Sequence, residues 1–141
     1  MNIQLEQLEA FQKAFKSTYS KIPCTLSEGD WKLRYDLSKE ELEEYKDACE
    51  EQDIVEIFDA ILDRLFLAFG DAVSHGLQDY LVAGFNEVLA SNMSKLNDEG
   101  EPLLNGVNTE FDSTRPFGKV MKSKNFFKPR LKEVLGNNGR I

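Results

Sequence analysis

The chain has 141 residues, of which 41% are hydrophobic, enough for one compact domain with a core of its own. Its formal net charge of −8 argues against general affinity for nucleic acid backbones. No apolar run approaches the roughly 18 to 20 residues that span a bilayer. Residues 1–6 show neither the basic n-region nor the apolar h-region of a secretory signal, so a soluble cytoplasmic protein is expected. Cys24 and Cys49 lack metal-ligand spacing and His75 is the only histidine, so any metal must be held by oxygen. That condition selects Mg²⁺, Mn²⁺ or Ca²⁺.

The average charge hides an asymmetry. Residues 115–141 hold eight Lys or Arg and one acid, Glu133, a net +7, which leaves −15 for the first 114. An acidic body with a basic tail suits a site that binds a cation and a phosphate together. A tail that only neutralises its own body gives the same pattern.

In chain order, Leu5, Leu8, Phe11 or Gln12, and Phe15 recur at helical spacing and predict a first amphipathic helix over 3–17. Residues 23–29 read as a loop, with Asp30 as the cap of a second helix over about 30–50 that carries Leu33, Leu37 and Tyr45. Asp53 predicts the N-cap of a third helix, over 54–75, that is apolar almost all round: Ile54, Ile57, Phe58, Ile61, Leu62, Leu65, Phe66, Phe69 and Val73. A helix of that composition is expected to be buried. A fourth helix is expected over 79–96 with Leu81, Phe85, Val88, Leu89 and Met93 inward, stopped by the turn Asn97-Asp98-Glu99-Gly100. Residues 100–127, rich in Gly, Asn, Pro and Thr, predict a long loop or short extended pieces, followed by a short last helix over 129–135. The expected fold is all-α: a single domain over 1–141, made of a bundle of about four helices over 1–98 and an irregular C-terminal arm over 99–141.

Chemistry concentrates in the acids of the second and third helices. Glu56, Asp59 and Asp63 fall within about 60° of one another on a helical wheel. They lie on one stripe of the most apolar helix, where unpaired burial of each would cost several kcal/mol. Glu40, Glu41 and Glu44, in the pattern E-E-x-x-E, share an arc of about 100° on the preceding helix. A short antiparallel link would set the two stripes opposite each other as a carboxylate cage of the kind that holds Mg²⁺. The competing reading is a set of ion pairs with Arg34, Lys46 or Arg64, or a solvated face. Asn97–Glu101 is no EF-hand loop, because Lys95 falls where the first acidic ligand belongs.

The order of these motifs resembles the all-α NTP pyrophosphatases, the superfamily of MazG, dimeric dUTPases, dCTP pyrophosphatases and phosphoribosyl-ATP pyrophosphohydrolase. The likeness runs through Arg34, Glu40-Glu41-Leu42-Glu43-Glu44, Asp53, Glu56 and Asp59-Ala60-Ile61-Leu62-Asp63. Ser91-Asn92-Met93-Ser94-Lys95-Leu96 resembles a segment of small single-domain bacterial and phage members. Gly118-Lys119-Val120-Met121-Lys122, Asn125-Phe126-Phe127 and Pro129 resemble their closing segment. The likeness covers roughly residues 30–135, and the stretch 104–115 is longer than the pattern leads one to expect.

The resemblance implies a Mg²⁺-dependent pyrophosphohydrolase, with Mn²⁺ as a substitute, acting on a nucleoside triphosphate or a related nucleotide. It implies Glu41 and Glu44 as metal ligands together with two of Glu56, Asp59 and Asp63, between which the spacing does not choose. Glu40 would orient or deprotonate water, with Glu41 beside it in catalysis. Asn92, Lys95, Lys119, Lys122 and Asn125 would contact the substrate. It further implies a homodimer or homotetramer. Trp31, Phe11, Phe126 and Phe127 are candidates for stacking on a base, although aromatics at helical spacing more often belong to a core. The rival from another class is a non-catalytic helical nucleotide-binding or protein-interaction module that keeps the fold.

Overall fold

The computed structural model describes residues 2–136; Met1 and residues 137–141, the two ends of the expected domain, lie outside the described residues. The described residues form α1 (Asn2–Ala14), α2 (Glu28–Glu51), α3 (Ile54–Ser74), α4 (Leu81–Met93) and α5 (Leu131–Leu135). Their one β feature is an isolated antiparallel bridge, Leu104 to Val120. The fold is all-α. The chain divides into two compact units, with a boundary between Leu81 and Val82.

In the first unit, α1 and α2 both pack on α3. Leu5 and Leu8 of α1 meet Ala72 and Val73 of α3, with Phe69, Leu77 and Leu81 around them. Of the two side chains that periodicity offered next, Gln12 turns to the core. Its amide nitrogen donates to the Gly70 carbonyl at 3.0 Å and to Ser74 Oγ at 3.2 Å. Phe11 instead stacks on Phe15 at 4.4 Å and meets the edge of Phe66. α1 stops at Ala14, short of the expected residue 17, and Lys16 adopts a left-handed φ of 56°.

The loop from 15 to 27 is tied to the end of α3. Ser20 N donates to the Val73 carbonyl, Cys24 N donates to the His75 carbonyl, and Ser74 Oγ donates to the Thr18 carbonyl. Gly76, at φ +68°, leaves room that a Cβ would fill at 2.0 Å from the Ile22 carbonyl oxygen, so only glycine closes this corner.

α2 begins before the expected position. Ser27, not Asp30, is its N-cap: Ser27 Oγ accepts from Asp30 N and donates to the Asp30 carboxylate at 2.6 Å. Asp30 thus sits in the first turn and closes the cap reciprocally. At the other end, Gln52 takes a left-handed conformation and returns its N–H to the Ala48 and Cys49 carbonyls. Asp53 then caps α3 through Val55 N and Glu56 N, as its position predicts. Two residues therefore join two long antiparallel helices.

The expected burial of α3 is corrected. Its buried residues are Ala60, Gly70, Ala72, Val73 and Ser74, whereas Ile54, Val55, Phe58, Ile61, Leu62, Leu65 and Phe66 are exposed. The physical reason is coverage: small residues line the close approaches to α1 and α2, and among the described residues of this unit no further helix lies over the bulky ones. Leu33 of α2 is likewise exposed.

In the second unit, α4 is shorter than expected, and Phe85, Val88, Leu89 and Met93 are exposed, not inward. Its buried residue is Ser91, because Ser91 Oγ donates to the Phe127 carbonyl at 2.8 Å. Asn97 makes the expected turn by accepting from Glu99 N and Glu101 N.

Residues 104–120 are a folded loop built on Asn105, which is completely buried. Asn105 Nδ2 donates to the carbonyls of Asp112, Arg115 and Pro116, while its Oδ1 accepts from Asp112 N at 2.7 Å. Its main chain exchanges hydrogen bonds with Lys119 and Gly118, which closes the neck of the loop. α5 starts only at Leu131; just before it, Arg130 is held by Glu87, which accepts from both its backbone N and Nε at 2.9 Å.

Candidate metal and nucleotide site

The α2–α3 hairpin sets Glu40, Glu41 and Glu44 against Asp59 and Asp63. Glu41 is the centre of the group. It is partly buried, and its Oε2 is shielded from solvent with no hydrogen-bond partner. Burial first, and then the charges of Asp63, Glu44, Glu40 and Asp59 in that order, hold the Glu41 carboxyl above the usual carboxylate range. A carboxylate in that position is destabilised when ionised, and a nearby cation reverses the sign of the effect.

Glu56 stands apart. It is exposed, its N–H is taken by Asp53, and it is not among the charges acting on Glu41. Of the three acids that sequence spacing left open, Asp63 and Asp59 are the two that act electrostatically on Glu41. Among the described residues, no three His, Cys, Asp or Glu side chains are gathered closely enough to ligate one ion as they stand. The donor set is all oxygen, which suits a hard cation such as Mg²⁺.

The cations that could have neutralised the stripe are engaged elsewhere. Arg34 pairs with Asp71, and Lys46 lies near Asp47 and Glu50. The Arg64 guanidinium sits 4.9 Å from the centre of the Tyr45 ring. Among the described residues, no ion pair reaches Glu40, Glu41, Glu44, Glu56, Asp59 or Asp63. The ion-pair explanation of the acids therefore loses its partners.

The residues expected to contact substrate beyond the acids all belong to the second unit. Lys95 Nζ donates to Asn92 Oδ1 at 2.6 Å, so these two form an exposed pair at the end of α4. Asn125 Nδ2 donates to the Leu96 carbonyl and to Asp98 Oδ1 at 3.0 Å. Lys122 lies 4.4 Å above the Phe126 ring. Lys119 is exposed, and its carbonyl accepts from Asn105 N.

The serines around these residues hold the arm in place. Ser94 Oγ accepts from Phe127 N, and Ser123 Oγ donates to the Leu96 carbonyl at 2.8 Å. The last carbonyls of α4 are met locally by Ser94 N, Ser94 Oγ, Lys95 N and Leu96 N, and the arm docks on the turn that follows the helix. Several basic residues of the tail serve the same end: Arg115 pairs with Asp112, Lys124 with Asp98, and Arg130 with Glu87.

Sequence reading missed two features of the hairpin. One is the Arg34–Asp71 pair, which joins residues 37 apart in the chain. The other is Gly70, whose place inside an apolar helix was itself a sign of close packing. Asn105 was missed as well, since an asparagine in a polar loop carries no periodic signal.

A family model described as phosphoribosyl-ATP pyrophosphohydrolase matches residues 8–92, which includes every acid of the site. The chain belongs to the phosphoribosyl-ATP pyrophosphohydrolase family, part of the MazG-like all-α NTP pyrophosphatase superfamily. The match begins nearer the N-terminus than the resemblance read from motifs and ends before the arm. No curated protein matches the chain. The family assignment makes this a pyrophosphohydrolase-type protein that acts on nucleotides. Among the described residues, no helix is long and apolar enough to cross a membrane.

Proposed function

We propose that the chain is a Mg²⁺-dependent nucleoside triphosphate pyrophosphohydrolase, converting a (d)NTP or related nucleotide to the monophosphate and pyrophosphate. The observation that carries this reading is Glu41: a shielded, unpartnered carboxylate among four others, with no cation among the described residues ion-paired to any of them. Glu41, Glu44, Asp63 and Asp59 would hold the ion, with Glu56 as the outer candidate; Mn²⁺ would serve in its place. When bound, such an ion acidifies water and offsets the charge of a triphosphate.

The rest falls to the chain's own side chains. Glu40, exposed beside Glu41, takes the proton of the attacking water. Attack at the α-phosphorus forms the new P–O bond, the bond to the bridging oxygen breaks, and pyrophosphate leaves. Asn92, Lys95, Lys119, Lys122 and Asn125 are the proposed contacts to phosphate, sugar or base. The exposed apolar residues of α3, from Ile54 to Phe66, support a homodimer or homotetramer that covers them. A cytoplasmic site, beside the nucleotide pools, accords with this activity.

The test is product analysis on a panel of canonical and modified (d)NTPs, with and without Mg²⁺, beside Glu44→Ala. Mg²⁺-dependent release of pyrophosphate and monophosphate, lost in the variant, is the expected result. Absence of turnover for every triphosphate and for phosphoribosyl nucleotides would leave the non-catalytic module as the better reading.

A further inference from the structure

Three helices meet at one turn of α3. Arg34 of α2 donates from Nε to the Asp71 carboxylate and from Nη2 to the Leu67 carbonyl at 3.0 Å. Gln12 of α1 donates to the Gly70 carbonyl in the same turn. A Cβ built on Gly70 would stand 2.6 Å from Arg34 Nη2, so the guanidinium lies in the volume that any larger residue would claim. The Arg34 side chain is only 16% exposed; most of its donor head is committed to α3.

This clasp lies on the seam that carries the acids. Glu41 follows Arg34 by two turns of α2, and Asp63 precedes Leu67 by one turn of α3. Repulsion between Glu41 and Asp63 works to separate the helices where they face each other, and a charge-assisted contact further along the seam opposes that separation. Resting on the metal-site reading above, we propose that Arg34, anchored by Asp71 and admitted by Gly70, is a positioning residue. It sets how closely the α2 and α3 carboxylates approach and thereby tunes the site's affinity for a divalent cation.

Gly70→Ala is the sharpest probe, because it adds one methyl group and alters no charge. The atom it meets is the end of a flexible side chain, so the helix can stand while Arg34 is displaced. Mg²⁺ affinity is measured by titration calorimetry on the full chain without nucleotide, alongside metal-free melting. Gly70→Ala and Asp71→Asn are both expected to weaken Mg²⁺ binding about threefold or more, each with a lower metal-free melting temperature from the lost Arg34 hydrogen bonds. Unchanged affinity in both variants overturns the proposal. So does a loss that Ser27→Ala, a remote helix-cap variant, reproduces at equal destabilisation, since the clasp would then be stability alone. A wild-type chain that binds no Mg²⁺ removes the metal-site reading and this inference together. A wild type that binds, beside variants that bind equally, removes this inference only.

Discussion

The two units treat their polar groups in opposite ways. In residues 82–136, polar side chains are spent on the fold: Asn105 satisfies three carbonyls and an N–H, and Asn125, which the sequence offers to a ligand, closes on Leu96 and Asp98. In residues 2–81, Glu40, Glu41, Glu44, Glu56, Asp59 and Asp63 find no ion-pair partner among the described residues, and most of the large apolar residues of α3 stay exposed. Polar groups satisfied within the chain report on architecture, whereas unsatisfied ones report on something the chain is built to meet. On the function proposed above, that contrast would put ligand chemistry first on the acidic hairpin, with a bracing role for much of the arm.

The contrast can be broken at its largest effect by Glu44→Ala. Removing one carboxylate from a site that depends on several should lower turnover at least about a hundredfold. Circular dichroism should show the helices intact, since Glu44 is exposed and makes no ion pair among the described residues. Loss of helix together with activity would mean that the acids are structural after all.

Asn105→Ala probes the other side. Four hydrogen bonds vanish from a fully buried side chain, leaving carbonyls without donors, and the expected cost is about 2–4 kcal/mol. Amide exchange should accelerate across residues 104–120, whereas protection in α2 and α3 should hold. Uniform loss of protection would show that the two units melt as one. The smallest of these effects is expected from Ser27→Ala, at about 1 kcal/mol for the lost cap, read as a lower melting temperature without change in turnover.

How much of this was legible beforehand follows from the range of each interaction. The α3 start at Asp53 and the convergence of Glu41 with Asp63 depend on local caps, i+3 and i+4 spacing and a two-residue link, all visible in the sequence. The α2 start shifted to Ser27 because two good cappers stood three residues apart and formed a reciprocal pair. Periodicity identified α3 as apolar but carries no information on what covers Phe58 or Leu62. The bond pattern of Asn105 and the Arg34–Asp71 clasp join residues distant in sequence without any repeating signal. The meeting of the acidic stripes of α2 and α3 could therefore be read in advance, but the contacts that brace the two helices could not.

Whether Glu41 belongs to a cation site is decided by melting the wild type and Glu41→Gln from pH 4 to pH 8, with and without Mg²⁺. A carboxyl whose folded pKa is raised gives up its proton more readily in the unfolded chain. Its penalty on metal-free stability therefore grows as pH rises from the ordinary glutamate value of 4.5 through the folded value, and persists above it. Other carboxyls are held below their ordinary values, Glu9 by Lys13 and Lys21, and Glu87 by Arg130; they act at lower pH and are shared by both proteins. The difference between the two curves isolates Glu41. Metal-free Glu41→Gln should gain on the wild type as pH rises, Mg²⁺ at pH 7 should raise the wild-type melting temperature, and the variant should lose this response. Parallel curves, together with no Mg²⁺ effect on the wild type, would contradict a cation site at Glu41.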